Sequence, residues 1–211
     1  VLSLVQESDF VFQRGPYSNL NEAKTFKRLL LEKVKQEGGK YFFPQKVKKN
    51  LFSKKISQIA DFIHEFGFEN KASLSKEQRV CFIEGFYFLL MLQLVATQNP
   101  SSFSFTCKDA VDHGMVRSFL FYLGVMMLVE LKSITFKEIK GMWSQMLSSS
   151  ILIRERMTSP QTYENCLQAA EFFQGIGLKL QGDNKLKNKY FKSLSLILGV
   201  DCKKISLGKR A

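Results

Sequence analysis

The sequence predicts a mostly α-helical domain with a few short strands (mostly α, α+β), and three observations carry that prediction. Apolar residues recur at helical spacing along most of the chain, two capping boxes mark helix starts, and glycines or prolines separate the runs. At 211 residues and 45% hydrophobic composition, the chain is long enough for one substantial core. One domain over residues 1–211 is therefore expected.

Taken in order, residues 21–36 place Ala23, Phe26, Leu29, Leu30 and Val34 on one face, and Gly38-Gly39 stop the run. "KYFFPQ" reads as a short extended piece ending before Pro44. Residues 46–66 are helical again, with Val47, Leu51, Ile59 and Phe62 or Ile63 on the buried side. Ser75 and Gln78 form a capping box ahead of "VCFIEGFYFLLMLQLVA", which is apolar nearly all round and marks the central helix. After "NPSS", the alternation in "FSFT" predicts a strand, and residues 114–131 a second apolar helix. Thr135 with Glu138 opens a helix that would bury Ile139, Met142, Trp143, Met146 and Leu147. "SILIRE" at 150–155 reads as a second strand, Ser159-Pro160 starts the next helix, and "NKLKNKYFKSLSLILG" closes as an amphipathic helix.

The apolar runs at 80–96 and 119–131 raise the question of a membrane span. Glu84 and Gln93 interrupt the first, and the second is shorter than the roughly 20 residues a span needs, so both read as core helices. The chain starts at Val1 without a basic-then-apolar leader, which suggests a mature fragment of a longer protein. Cys81, Cys107, Cys166 and Cys202 lie far apart, with no CxxC pair and no paired histidines. That spacing gives neither a zinc site nor a disulfide framework; a reducing, cytoplasmic compartment and the absence of metal or cofactor are the expectations. Cys81 and Cys166 fall on apolar helical faces, as small core residues do. His64 reads as a surface or half-buried residue.

Net charge is +12 and the isoelectric point about 9.6. Such an excess either keeps the chain soluble or meets an anion: a phosphorylated ligand, an acidic membrane surface, an acidic protein or, less readily, nucleic acid. Lys46, Lys48, Lys49, Lys54 and Lys55 crowd the first turns of the second helix, where positive charge opposes the helix dipole at ~0.3–1 kcal/mol each. These lysines do not stabilise the helix; surface solubility explains them first, and a docking patch for lipid headgroups or nucleic acid is the alternative. The patch lacks the aromatic interleaving of a base-stacking platform, and no zinc-finger, basic-zipper or RNA-recognition signature is present.

Chemistry concentrates in "FSFTCKDAVDHGMVRSFLF", residues 103–121. A predicted strand ends at Cys107 and an apolar helix opens after Gly114, so backbone N–H groups would converge near the sulfur. Lys108 and His113 add cationic character that favours a thiolate. "CKDAVDHG" resembles the signature loop of cysteine-dependent phosphatases, Cys, five residues, Arg, and is most similar to the "CKxGxDR" variety of secreted bacterial inositol-phosphatase effectors. Cys107, Lys108 and Asp112 match; Ala110 stands where that family often has glycine, and His113 where it has the phosphate-binding arginine.

The resemblance implies Cys107 as nucleophile, Asp109 as general acid, His113 and Lys108 at the phosphate, a covalent phosphocysteine and no metal. It also implies a phosphoinositide or inositol phosphate as ligand, and delivery into a host cell with peripheral membrane association. Arginine grips phosphate through two parallel hydrogen bonds, whereas a mostly neutral histidine offers one donor. His113 therefore marks an inactivated loop, or Arg117, Arg154 or Arg156 replaces the missing group, or the likeness is accidental. The bland readings stand beside these: Cys107 as a small buried residue, Asp109 and Asp112 as turn formers or a helix cap, and Arg154 and Arg156 on a solvated strand edge. A noncatalytic basic helical module is the alternative to a phosphatase-like domain.

Overall fold

The structure is a computed structural model that describes residues 3–5, 8–36, 40–105, 113–154 and 159–202, without the side chains of residues 50, 53, 146–151, 153 and 154. Its helices are α1 (Ala23–Lys35), α2 (Gln45–Asn50), α3 (Ile56–Phe68), α4 (Lys76–Gln98), α5 (His113–Gly124), α6 (Phe136–Arg154), α7 (Pro160–Gly182) and α8 (Asn184–Leu198). A short 3-10 turn precedes α1, and two π-wound segments, Leu51–Lys55 and Val125–Val129, extend α2 into α3 and prolong α5. Among the described residues there is no β-sheet. Two isolated antiparallel bridges, Ser3 with Phe42 and Glu22 with Ser73, are the sole strand-like pairings there. The chain divides into two compact units, Val1–Leu90 and Met91–Ala211, with the division falling inside α4.

Both expected strands need correction. "SILIRE" is the last part of α6 as far as Arg154, because the helix capped at Thr135 meets no proline before that point. Extending an established helix adds one hydrogen bond per residue fixed, whereas a strand without a partner gains none, so the β-branched run stays helical. Residues 103–105 have no assigned secondary structure and pair with no strand among the described residues. Their alternation has another cause: the rings of Phe103 and Phe105 both pack on Phe121 of α5, at 5.5 and 5.4 Å. Same-side residues two apart can clasp one ring without any ladder.

In the first unit, α1 buries Ala23, Phe26, Leu30 and Val34, the face that its spacing defines. Phe26 meets Phe82 edge-on at 5.3 Å, and Phe68 stacks on Phe82 at 5.7 Å, so Phe82 joins α1, α3 and α4. Truncating such a buried ring costs about 3–5 kcal/mol. His64 is buried rather than half-exposed, and its Nε2–H donates to the Lys71 carbonyl at 2.8 Å, tying down the turn after α3.

The first turn of α4 carries the unit's polar centre. Ser75 and Gln78 form the capping box, with Ser75 N–H donating to Gln78 Oε1 at 2.9 Å and Gln78 N–H to Ser75 Oγ at 3.2 Å. The next residue, Arg79, is completely buried. Its Nε donates to Gln13 Oε1 at 2.6 Å, Nη1 to Asn21 Oδ1 at 2.6 Å and the Leu74 carbonyl at 2.7 Å, and Nη2 to the Ser18 and Tyr17 carbonyls at 2.7 and 3.3 Å. All five guanidinium N–H groups are thus used, which offsets the desolvation that pushes its pKa down. This one side chain gathers residues 13–21 and 74 around the start of α4.

α4 is long and apolar enough by length and composition to cross a membrane, with a mean hydropathy of 1.8 over its best window, yet 83% of that window is buried within the protein. Burial of that kind is what a central core helix shows.

In the second unit, α5 and its π-wound extension pack against α7, and α7 against α8. Contact with the π segment is very close: a Cβ built on Gly177 would lie 2.9 Å from the Met127 carbonyl oxygen. Only glycine fits there. Gln174 and Gln181 of α7 donate to the carbonyls of Ile134 and Leu131, at 2.6 and 2.8 Å, and so clamp the chain leaving the π segment. The capping box at α6 forms, with Thr135 N–H to Glu138 Oε2 at 2.7 Å and Glu138 N–H to Thr135 Oγ1 at 3.3 Å. Ser159 caps α7 and Asp183 caps α8, through Thr162 N–H at 3.2 Å and Leu186 N–H at 2.9 Å. Gly199, in the left-handed region at φ 73°, ends α8.

Candidate functional site

The loop of residues 106–112 lies outside the described residues, so Cys107, Lys108, Asp109 and Asp112 carry no structural description; neither do Arg156 and the side chain of Arg154. Its two flanks are described. On the N-terminal side, Phe103 and Phe105 are held to Phe121; on the C-terminal side, His113 is the first residue of α5. Both flanks are therefore tied to one helix, and the chain enters that helix at its N-terminus. His113 is half-buried, and Arg117, one turn further along α5, is buried at 7% exposure. Both residues have interaction partners. Arg154 belongs to the end of α6, so the strand edge expected to carry Arg154 and Arg156 is absent at Arg154.

The three described cysteines, Cys81, Cys166 and Cys202, are buried, and none of them forms a disulfide among the described residues. Burial pushes the Cys202 thiol pKa up, which keeps it protonated and unreactive. Among the described residues, no three of His, Cys, Asp and Glu are grouped to hold a metal ion.

The lysine segment is described almost entirely. Val47 and Leu51 point inward, and the ring of Phe52 packs on Phe43 at 5.4 Å, so the apolar side of this helix is satisfied. Lys46, Lys49 and Lys54 are exposed, while Lys48 and Lys55 are half-buried. No carboxylate stands in the first turn of α2, of the π segment or of α3. The π winding adds residues per turn and carries Lys54 and Lys55 at its end. Five lysines over ten residues thus sit on a helix whose inner side is anchored by packing.

A second basic face lies on α8. Lys185, Lys189, Lys192 and Leu196 are all exposed and spaced i, i+4, i+7 and i+11, a single stripe opposite buried Tyr190, Leu194, Ile197 and Leu198. Leu196 is 68% exposed, an apolar end to a cationic row. The sequence holds the signal for this stripe in its lysine spacing, which becomes visible once the phase of the buried face is fixed.

Compared with protein-family models, with curated proteins and with solved structures, the chain matches none. The resemblance at residues 107–113 therefore stands on those residues alone, and the candidate sites rest on geometry and charge.

Proposed function

We propose that this chain is a noncatalytic basic helical module that docks on an anionic membrane surface through its exposed lysine faces. The observation that carries the reading is the lysine segment of residues 46–55, set on a helix whose apolar side is already packed, with no acidic residue in its first turns. Lys46, Lys48 and Lys49, in the opening turn, oppose the helix dipole and so do not stabilise the helix, and negative lipid headgroups offer about 1 kcal/mol per lysine near the surface. The α8 stripe supplies the same chemistry in the second unit. Its exposed Leu196 favours lipid over nucleic acid, since a leucine gains nothing from a phosphate backbone but can enter the headgroup boundary. Phe52, the aromatic residue within the lysine run, packs on Phe43 and so is not presented for base stacking.

The mapping experiment is vesicle co-sedimentation of Lys46→Glu/Lys49→Glu and of Lys189→Glu/Lys192→Glu, all four exposed, beside the parent. Each pair should lower the partition coefficient onto phosphatidylserine vesicles by tenfold or more at low salt, by the headgroup arithmetic above, with the thermal midpoint nearly unchanged. Equal partition by parent and both variants removes the lysine faces from the account. Tighter binding to single-stranded nucleic acid than to vesicles would move the reading to the other anion.

A second reading keeps the phosphatase-like loop, acting on or binding a phosphoinositide or inositol phosphate. What favours it is the tie of both loop flanks to α5, which places the chain after residue 112 at a helix N-terminus. Under this reading His113→Arg restores a bidentate phosphate contact and raises turnover of a phosphoinositide panel, and Cys107→Ser abolishes the gain. A folded His113→Arg variant that neither hydrolyses nor binds any member of the panel ends it.

A further inference from the structure

The helix that carries the lysines of residues 46–55 is interrupted by a π-wound turn, Leu51–Lys55, between α2 and α3. Such turns are rare, occur mostly singly inside α-helices and are frequent at functional sites. Each takes one more residue per turn than the α-helix around it. The buried residues of this helix are spaced accordingly: Val47 to Leu51 is four residues, Leu51 to Ile56 five and Ile56 to Ile59 three. Under unbroken α winding a step of five residues overshoots a full turn by about 140°, and Ile56 would leave the core. The π turn absorbs the extra residue, so the apolar row stays in phase on both sides of it.

The same step recurs on the outer side. Lys46 and Lys49 are exposed and three residues apart, and Lys54, also exposed, follows five residues later. Unbroken α winding would swing Lys54 about 140° away from Lys49, onto the side of buried Val47. Across the π turn Lys54 returns to the side of Lys49, and the three lysines make one row that extends about 12 Å along the axis at 1.5 Å per residue. Lys48 and Lys55, both half-buried, stand off this row. An α-helix one residue shorter would bury the same apolar row, so the core gives no reason to keep the extra residue.

We propose that the π turn holds a one-residue insertion whose role is to display Lys54 as the third contact of a lysine row, Lys46, Lys49 and Lys54, that lies along an anionic membrane surface. The inference rests on the membrane reading and deepens it, by separating these three lysines from the other two of the segment.

The test is co-sedimentation with phosphatidylserine vesicles at low salt, beside thermal unfolding followed by circular dichroism, on the full chain carrying Lys54→Gln, Lys55→Gln, a deletion of Lys54 or a deletion of Ser53. Either deletion brings Leu51 and Ile56 to α spacing, so both deletion variants should keep or raise the parent's thermal midpoint. Deletion of Ser53 leaves Lys54 four residues from Lys49, on the same side of an α-helix, and should bind like the parent. Deletion of Lys54 and Lys54→Gln should each lower the partition coefficient about fivefold, and Lys55→Gln less than about twofold. Equal losses in Lys54→Gln and Lys55→Gln would reduce the row to net charge and overturn the proposal. Unchanged binding in Lys54→Gln overturns it too, as does a lowered thermal midpoint in both deletion variants, since the fold would then need the extra residue. A parent chain that does not partition onto these vesicles at all sinks the membrane reading itself, whereas those outcomes with a binding parent sink the row alone.

Discussion

Arg79 shows how much of the first unit depends on one side chain. Five donors converge on acceptors from four separate positions before α1 and one before α4, and every partner is neutral. Arg79→Met would leave those acceptors buried and unpaired, at about 1–3 kcal/mol each for the worst placed. Urea denaturation should show a loss of 3 kcal/mol or more by that arithmetic, and a loss below 1 kcal/mol would mean that water replaces the guanidinium. Gly177 is the counterpart in the second unit: Gly177→Ala forces a Cβ against the Met127 carbonyl at 2.9 Å, so overpacking should cost about 1–3 kcal/mol. Trp143, the sole tryptophan and a buried residue, reports that loss by fluorescence. Neither residue is legible in the sequence. Arg79 sits in "SKEQRV" like any surface arginine of a first helical turn, and nothing near Gly177 announces the π segment it meets.

At the scale of elements, the sequence was a good guide wherever the signal was local. Periodicity located α1 and the helix through Leu51, the Ser75 and Thr135 boxes located two helix starts, and Ser159-Pro160 a third. It misled where a local pattern had a tertiary cause: the alternation of Phe103 and Phe105 reflects a clasp on Phe121, and the β-branched run before Arg154 continues a helix begun fifteen residues earlier or more. Capping boxes also carry a pH signature. Hydrogen bonds from the Thr135 side chain and backbone hold the Glu138 carboxyl below its usual pKa. A depressed folded-state pKa gives stability that is present above the unfolded value and lost as pH falls through the folded one. Glu138→Gln keeps an acceptor for the box but cannot titrate, so its stability should fall less than the parent's below about pH 4 and track it at neutral pH. Identical acid limbs in the two proteins would show that this box contributes nothing to acid unfolding.

For the whole molecule, the dominant property is its charge, +12 over 211 residues, with exposed lysines on α2, on the π segment and on α8. Composition alone admits an anionic partner or solubility and says nothing of where a partner would bind, since the sequence shows lysines without showing which sides of their helices are already packed. The loop at Cys107 is legible as a motif, and residues 106–112 lie outside the described residues. Docking on an anionic membrane is tested by co-sedimentation of the unaltered chain with vesicles of rising phosphatidylserine content, at low and at high salt. The account predicts no binding to pure phosphatidylcholine, a steep rise with anionic lipid, and release as the salt approaches about 1 M, where the screening length falls to roughly 3 Å. Equal binding to neutral and anionic vesicles, or none to either, would contradict it.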